Sequence, residues 1–205
     1  MLSLLIGAPI GYLLARKRFP GRSLLEGTIL LPLVLPPTVL GYYLLVTFGK
    51  TGRIAELFQR LTNHEMPQIA FTWQGATLAA SLVSVPLLIR SVQNAFSEIE
   101  SDLIDSARVQ GANEWQVFRF LILPLSLRAV ISGIGLSFAR ALGDFGATLM
   151  IGGSIPGETR TLPLAVYDAV NSGEDRLALV YVLILSSVCL IFSILASQLT
   201  PRYER

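Results

Sequence analysis

Hydrophobic residues in this chain run in long blocks, and the polar residues are gathered between them. The blocks cover about 1–15, 27–48, 69–92, 125–151 and 177–199. A run of about twenty apolar residues is what a helix needs to cross a bilayer core about 30 Å thick. The pattern therefore predicts about five transmembrane helices. As a helix, Met1–Ala15 reaches only about 22 Å, so the first span reads as truncated. No basic residue precedes it and no small-residue cleavage site ends it, which argues against a signal peptide. The second block holds Pro32, Pro36 and Pro37. Each removes a backbone donor and pushes its predecessor away from helical geometry. A broken backbone at membrane depth survives where protein or a water-filled path surrounds it, so this block is either a plain kink or a pathway-lining segment.

The longest polar interruption is Ser101–Pro124, with Asp102, Asp105, Arg108, Glu114 and Arg119. Within it Ile104, Ala107, Gly111, Trp115, Phe118 and Ile122 recur at steps of three or four. That spacing predicts one amphipathic helix, or two short ones broken at Gly111. Lys50–Pro67 and Gly152–Asp175 read as loops.

Composition narrows the class. Of 205 residues, 52% are apolar and 15% charged, and the mean hydropathy is +0.60. Soluble domains carry about 25% charged residues. The continuous apolar blocks exclude a β-barrel. Cys189 is the one cysteine and sits in an apolar block; His64 is the one histidine and reads as solvated, so no metal site is expected. The net charge of +2 is small, and no nucleic-acid partner is expected. The distribution of positive charge matters more. Arg16, Lys17, Arg18, Arg22, Arg90, Arg108, Arg119, Arg128, Arg202 and Arg205 fall on one side of the predicted membrane, and Lys50, Arg53, Arg60, Arg160 and Arg176 on the other. The richer side is cytoplasmic by the positive-inside rule. The amino terminus is then outside, the carboxyl terminus inside, and about 94–124 a cytoplasmic loop. No inverted repeat is visible, and Gly7 with Gly11 forms a small-xxx-small pair of the kind that packs helices closely.

Arg140 and Asp144 lie inside the fourth block, four residues apart. On a continuous helix they would share a face and pair. Charged groups at this depth face a cavity or one another, so the pair is a structural neutraliser or part of an anion path, with Gly143, Gly146 and Thr148 thinning the wall. The chain has no G-x-x-x-x-G-K-[ST] motif, so any ATP chemistry would belong to another chain.

The interruption also carries a motif. Asp105-Ser106-Ala107, three residues, Gly111, nine residues, then Leu121-Ile122-Leu123-Pro124 resembles the EAA loop of ABC importer permeases. Asp105 stands for the family's Glu, Ser106 for its first Ala and Leu121 for its Ile. Leu31-Pro32-Leu33-Val34-Leu35-Pro36-Pro37-Thr38-Val39-Leu40-Gly41-Tyr42-Tyr43 resembles the second span of molybdate permease subunits. Arg140-Ala141-Leu142-Gly143-Asp144-Phe145-Gly146-Ala147-Thr148 and Ile155-Pro156-Gly157-Glu158-Thr159-Arg160-Thr161-Leu162-Pro163 resemble their later signatures. Sulfate and tungstate permeases share the Gly-acidic-Phe-Gly element.

The resemblance implies an all-α integral membrane protein of the type I ABC importer permease (MetI-like) fold, forming one transmembrane permease domain over 1–205. It implies a coupling loop of Asp105, Ser106, Ala107, Gly111, Ala112, Glu114, Trp115 and Pro124 that docks on an ATP-hydrolysing subunit, with Ala107, Gly111 and Trp115 at the centre of the contact. The expected function is molybdate import into a bacterial or archaeal cytoplasm by alternating access. The expected assembly is a homodimer of permeases, two ATP-binding subunits and an extracytoplasmic molybdate-binding protein. This chain would bind no cofactor and catalyse nothing itself, ATP and Mg lying on the partner subunit. Pro36, Pro37, Thr38, Arg140, Gly143, Asp144, Gly146 and Thr148 are candidates for the pathway. Tungstate or sulfate is the alternative cargo. An ATP-independent anion transporter or channel, or a non-transporting scaffold, is the alternative class.

Overall fold

A computed structural model describes residues 2–17, 19–50 and 52–199. Arg18 and the tail with Arg202, Tyr203 and Arg205 lie outside the described residues. The described elements are all helical: α1 (Leu2–Arg16), α2 (Arg22–Val34), α3 (Pro37–Phe48), α4 (Arg53–Thr62), α5 (Trp73–Ser97), α6 (Ser101–Val109), α7 (Glu114–Gln116), a π-helical turn (Val117–Ile122), α8 (Leu123–Leu142), α9 (Gly146–Gly152), α10 (Leu162–Asn171) and α11 (Asp175–Leu199). Among the described residues, Trp73–Ser97, Glu114–Leu142 and Asp175–Leu195 are long and apolar enough to cross a membrane. The bent pair beginning with α2 and α3 makes a fourth, and α1 is a shorter apolar helix.

The organising element is α5, which packs against α1, α8, α9, α2 and α3. Its small residues let neighbours approach, and Ala79, Val83, Leu88, Ile89 and Val92 are buried at 1% exposure or less. A Cβ on Gly11 would lie 2.9 Å from the Ile89 carbonyl oxygen, so the glycine of the small-xxx-small pair sets the α1–α5 approach. Two apolar cores divide the height of α5. One joins Leu40, Leu44, Ala70, Val83, Ala147 and Ile151; the other joins Leu88, Val92, Phe96, Ile104, Val117 and Ile122. A polar tie fixes α2 to α5: Gln93 Nε2 donates to Glu26 Oε1 at 3.0 Å, and Glu26 pairs with Arg22. By contrast α11, which touches α8 and α10, leaves Leu179, Leu183, Leu190 and Ile191 exposed. Such a surface belongs in hydrocarbon or against another protein.

Three expectations need correction. The loop read over Lys50–Pro67 contains α4, whose Ile54, Leu57, Phe58 and Leu61 follow helical spacing. The loop read over Gly152–Asp175 contains α10, opened by Pro163 near its first turn, where a missing N–H costs nothing. The helix expected across Leu125–Ile151 ends at Leu142 and restarts at Gly146. Gly143 is a poor helix former, and the Asp144 carboxylate accepts hydrogen bonds from the next helix instead of facing back along α8. The second block is likewise two helices, broken at Leu35–Pro36, both extended with ψ of 141 and 133°.

Candidate functional site

The segment with the Asp-Ser-Ala motif forms two helices set around one glycine. Gly111 has φ +90°, a left-handed conformation that side chains with a Cβ resist, and this turns the chain between α6 and α7. Past the turn, Asn113 and Gln116 form a capping box: Asn113 Oδ1 accepts from the Gln116 N–H at 2.9 Å, and Gln116 Oε1 from the Asn113 N–H at 2.8 Å. The N-x-x-Q pattern was a readable signal for this helix start.

Arg108 clamps the two helices together. Its Nε and Nη2 donate to the two Glu114 oxygens at 2.8 and 3.1 Å, and its Nη1 to Asp105 Oδ1 at 2.8 Å. The Glu114 hydrogen bonds, then those of Asp105, hold the guanidinium above its ordinary value. All three side chains are exposed, so the clamp fixes an angle more than it stabilises the fold.

Most of the apolar stripe turns inward on both sides of Gly111. Ile104 and Ile122 are buried in the second core, and Ala107, Ala112 and Phe118 pack against it. Ile104, Phe118 and Ile122 thus anchor the loop to the membrane helices, and Trp115 is the large member of the stripe left exposed. Outward instead point Val109 (88% exposed), Phe120 (74%) and Leu103. Ala107, Gly111, Ala112, Val117 and Phe120 line a shallow groove of about 470 Å³ between α6 and the π turn. The small residues at motif positions make the groove by leaving volume empty. Trp115 is 68% exposed and lies on a different face, beside Phe118 and a groove along α1 and α8. Ser106 donates to the Asp102 carbonyl at 2.7 Å. Pro124 is exposed and follows the π turn, where the Leu123 N–H reaches back five residues to Phe118. A proline ring collides with the carbonyl four residues earlier in an α-helix, and the wider turn relieves that collision.

The second candidate region lies where the two broken spans meet. A Cβ on Gly146 would sit 3.1 Å from Thr38 N and 3.2 Å from Pro37 Cβ, and one on Gly41 would sit 2.7 Å from the Ala147 carbonyl oxygen. The start of α3 is thus seated on the start of α9. Asp144, 2% exposed, supports this corner: its Oδ2 accepts from Thr148 N at 3.0 Å and Thr148 Oγ1 at 2.6 Å. Its Oδ1 has no partner. The expected Arg140–Asp144 pair is absent among the described residues; the break at Gly143 puts the two side chains on different elements. Of the pathway candidates, Asp144, Gly146 and Thr148 are buried in packing, Arg140 is half-buried, and Pro36, Pro37, Thr38 and Gly143 are exposed. Beyond α9, Asp168 collects Ser154 Oγ at 2.5 Å and Arg160 Nε at 3.1 Å, tying the 153–161 turn to α10.

Comparison with known proteins bears on both regions. Residues 7–205 match the family described as "binding-protein-dependent transport system inner membrane component". The chain is 41% identical over 205 residues to the molybdenum transport system permease protein ModB of Escherichia coli K12, covering 100% of this chain and 88% of that protein. It is 36% identical over 204 residues to the sulfate transport system permease protein CysW of Synechococcus elongatus, covering 100% and 70%. Among solved structures, a bacterial ABC transporter that imports alginate superposes with TM-score 0.72 at 16% identity, over 100% of this chain and 76% of that one. The MetNI methionine ABC transporter, in an inward-facing form, superposes with TM-score 0.63 at 18% identity, over 97% and 88%. These structures share the fold, that of a type I ABC importer permease.

Proposed function

This chain belongs to the family of binding-protein-dependent transport system inner membrane components, and from that membership we propose that it is the membrane-spanning subunit of an ATP-driven molybdate importer. The observation that carries the substrate is the 41% identity, over the whole chain, to a molybdenum permease. The sulfate relative at 36% makes sulfate the second reading.

In this reading ATP is hydrolysed on a separate subunit, and a binding protein delivers the oxyanion from the far side. Two copies of the chain form the pathway, and the exposed apolar face of α11 is available for lipid or for the second copy. The end bearing Arg16, Lys17, Arg22, Arg90 and Arg108 is cytoplasmic, following the positive charge. The α6–α7 groove receives the ATP-hydrolysing subunit. Leu103, Val109 and Phe120 are apolar and exposed, and such a patch is stable when another protein covers it. Ile104, Val117 and Ile122 bury the other side of the same element in the membrane core. A push on the groove therefore moves α5 and α8 with it, as near-rigid bodies. Pro36, Pro37, Thr38, Gly143 and Arg140 border the pathway where the broken spans meet; Asp144 and Thr148 hold that corner in shape.

The test is ATP hydrolysis by the reconstituted complex with binding protein loaded with molybdate, tungstate or sulfate in turn. Stimulation by molybdate is expected. Stimulation by sulfate alone overturns the substrate, and anion flux without ATP overturns the mechanism.

A further inference from the structure

Arg16 ends α1 beside the coupling loop, and its charge is not compensated by any described carboxylate. Nε and Nη2 are shut off from solvent without an acceptor, and Arg16 is in none of the ion pairs among the described residues. A buried donor without a partner costs free energy, and a charged one costs more. Arg16 lines a polar cavity of about 350 Å³ with Lys17, Ser101 and Arg108. Asp105 and Glu114 line it too, but both are engaged by Arg108. Three cations thus face two carboxylates, and the surplus lies at Arg16 and Lys17.

Next to this cavity, with Tyr12 and Glu114 lining both, lies an apolar groove of about 650 Å³ between α1, α5 and α8, lined by Ala8, Pro9, Val92, Leu127 and Ile131 among others. On α1 the lining runs from Arg16 back to Ala8, about 12 Å along the helix; on α8 it runs from Leu123 to Ile134, about 16 Å. The groove therefore leads from the basic end towards the middle of the bilayer. Trp115 stands at its mouth, as aromatic side chains do at a membrane boundary. A basic, under-compensated head cavity beside an apolar groove of this direction suits an anionic phospholipid.

We propose that these adjoining cavities hold one anionic phospholipid of the cytoplasmic leaflet, its phosphate at Arg16 and Lys17 and an acyl chain between α1 and α8. The inference rests on the membrane-spanning reading of the chain and is independent of the transported ion. The lipid fills the space between α1, α8 and the coupling loop, and so braces the loop at its membrane side.

The test is native mass spectrometry of the delipidated full complex titrated with phosphatidylglycerol or phosphatidylcholine. Wild type should retain phosphatidylglycerol about fivefold better for each of the two basic residues, a preference that Arg16→Gln reduces by about fivefold. Ile131→Trp, which fills the groove and leaves the charges, should reduce retention of both lipids. Millimolar inorganic phosphate should not displace the bound lipid. Equal retention of the two lipids by wild type overturns the proposal whether or not Arg16→Gln assembles. So does binding of phosphate without lipid, which would mark a free-anion site. Loss of the ATP-hydrolysing subunit from Arg16→Gln with lipid retention unchanged would assign the cavity to the protein interface and equally overturn it.

Discussion

Gly111 and Asp144 are the two residues whose roles the structure separates most sharply. At Gly111 a Cβ would meet nothing within 4 Å, so size is tolerated and only the backbone conformation matters. Gly111→Ala is expected to cost about 1–2 kcal/mol, and Gly111→Asn less, because Asn visits the left-handed region more readily. The measurement is recovery of the ATP-hydrolysing subunit with each variant: Asn above Ala, and both above Gly111→Pro, while membrane insertion stays unchanged. Asp144 was legible as a charge at membrane depth, but its partner was not. Sequence spacing offered Arg140, four residues back, while the carboxylate bonds forward to Thr148 across a helix start. Spacing along a helix decides partners only if the helix continues. Asp144→Ala leaves the buried Thr148 N–H unmet and is expected to lower stability by about 1–3 kcal/mol. Asp144→Asn keeps one acceptor and should recover most of that. Thermal unfolding of the purified subunit checks the order, and equal melting of all three forms would return Asp144 to the pathway.

At the scale of elements, the sequence showed the breaks better than what the broken ends touch. Three prolines between Pro32 and Pro37 marked the second span as interrupted, and Gly111 marked the division of the loop. That α3 sits on α9 could not be read, because contacts between distant segments leave no periodic trace. Close packing at Gly41 and Gly146 marks the contact. Gly41→Val should therefore force α3 from α9 and cost about 1–3 kcal/mol, as overpacking in a dense interior does. The same change at Gly27, whose Cβ position is open, should be nearly neutral. Unfolding midpoints of the two variants make the comparison, and equal midpoints would contradict the α3–α9 contact. The amphipathic spacing in Ser101–Pro124 was read correctly as helical, and most of its stripe turns inward. Ile104 and Ile122, on either side of Gly111, are buried in one core, while Val109 and Phe120, which lie off the stripe, are exposed. Short helices α4 and α10 were hidden because polar flanks made their ten-residue patterns look like loops.

For the whole molecule, charge asymmetry carries the proposed sidedness, and the fold gathers those charges: Arg16, Lys17 and Arg108 line one cavity, and Arg22 and Arg90 both join the Glu26–Gln93 tie. With Cys189→Ser as background and the chain expressed without the ATP-hydrolysing subunit, Val109→Cys should react with an impermeant maleimide only from the cytoplasmic side, and Gly157→Cys only from outside. The reverse pattern would invert the topology. Family membership was legible because the loop's motif sets a glycine turn and a buried anchor at fixed spacing. The central claim is that the outward face of that loop meets the ATP-hydrolysing subunit. Its most direct measurement is cysteine crosslinking within the assembled importer during ATP-driven molybdate uptake. Val109→Cys should join covalently to the ATP-hydrolysing subunit, and Leu183→Cys on the exposed face of α11 should not. A complex that imports molybdate at the full ATP-dependent rate while Val109→Cys stays uncrosslinked and open to maleimide would contradict the account.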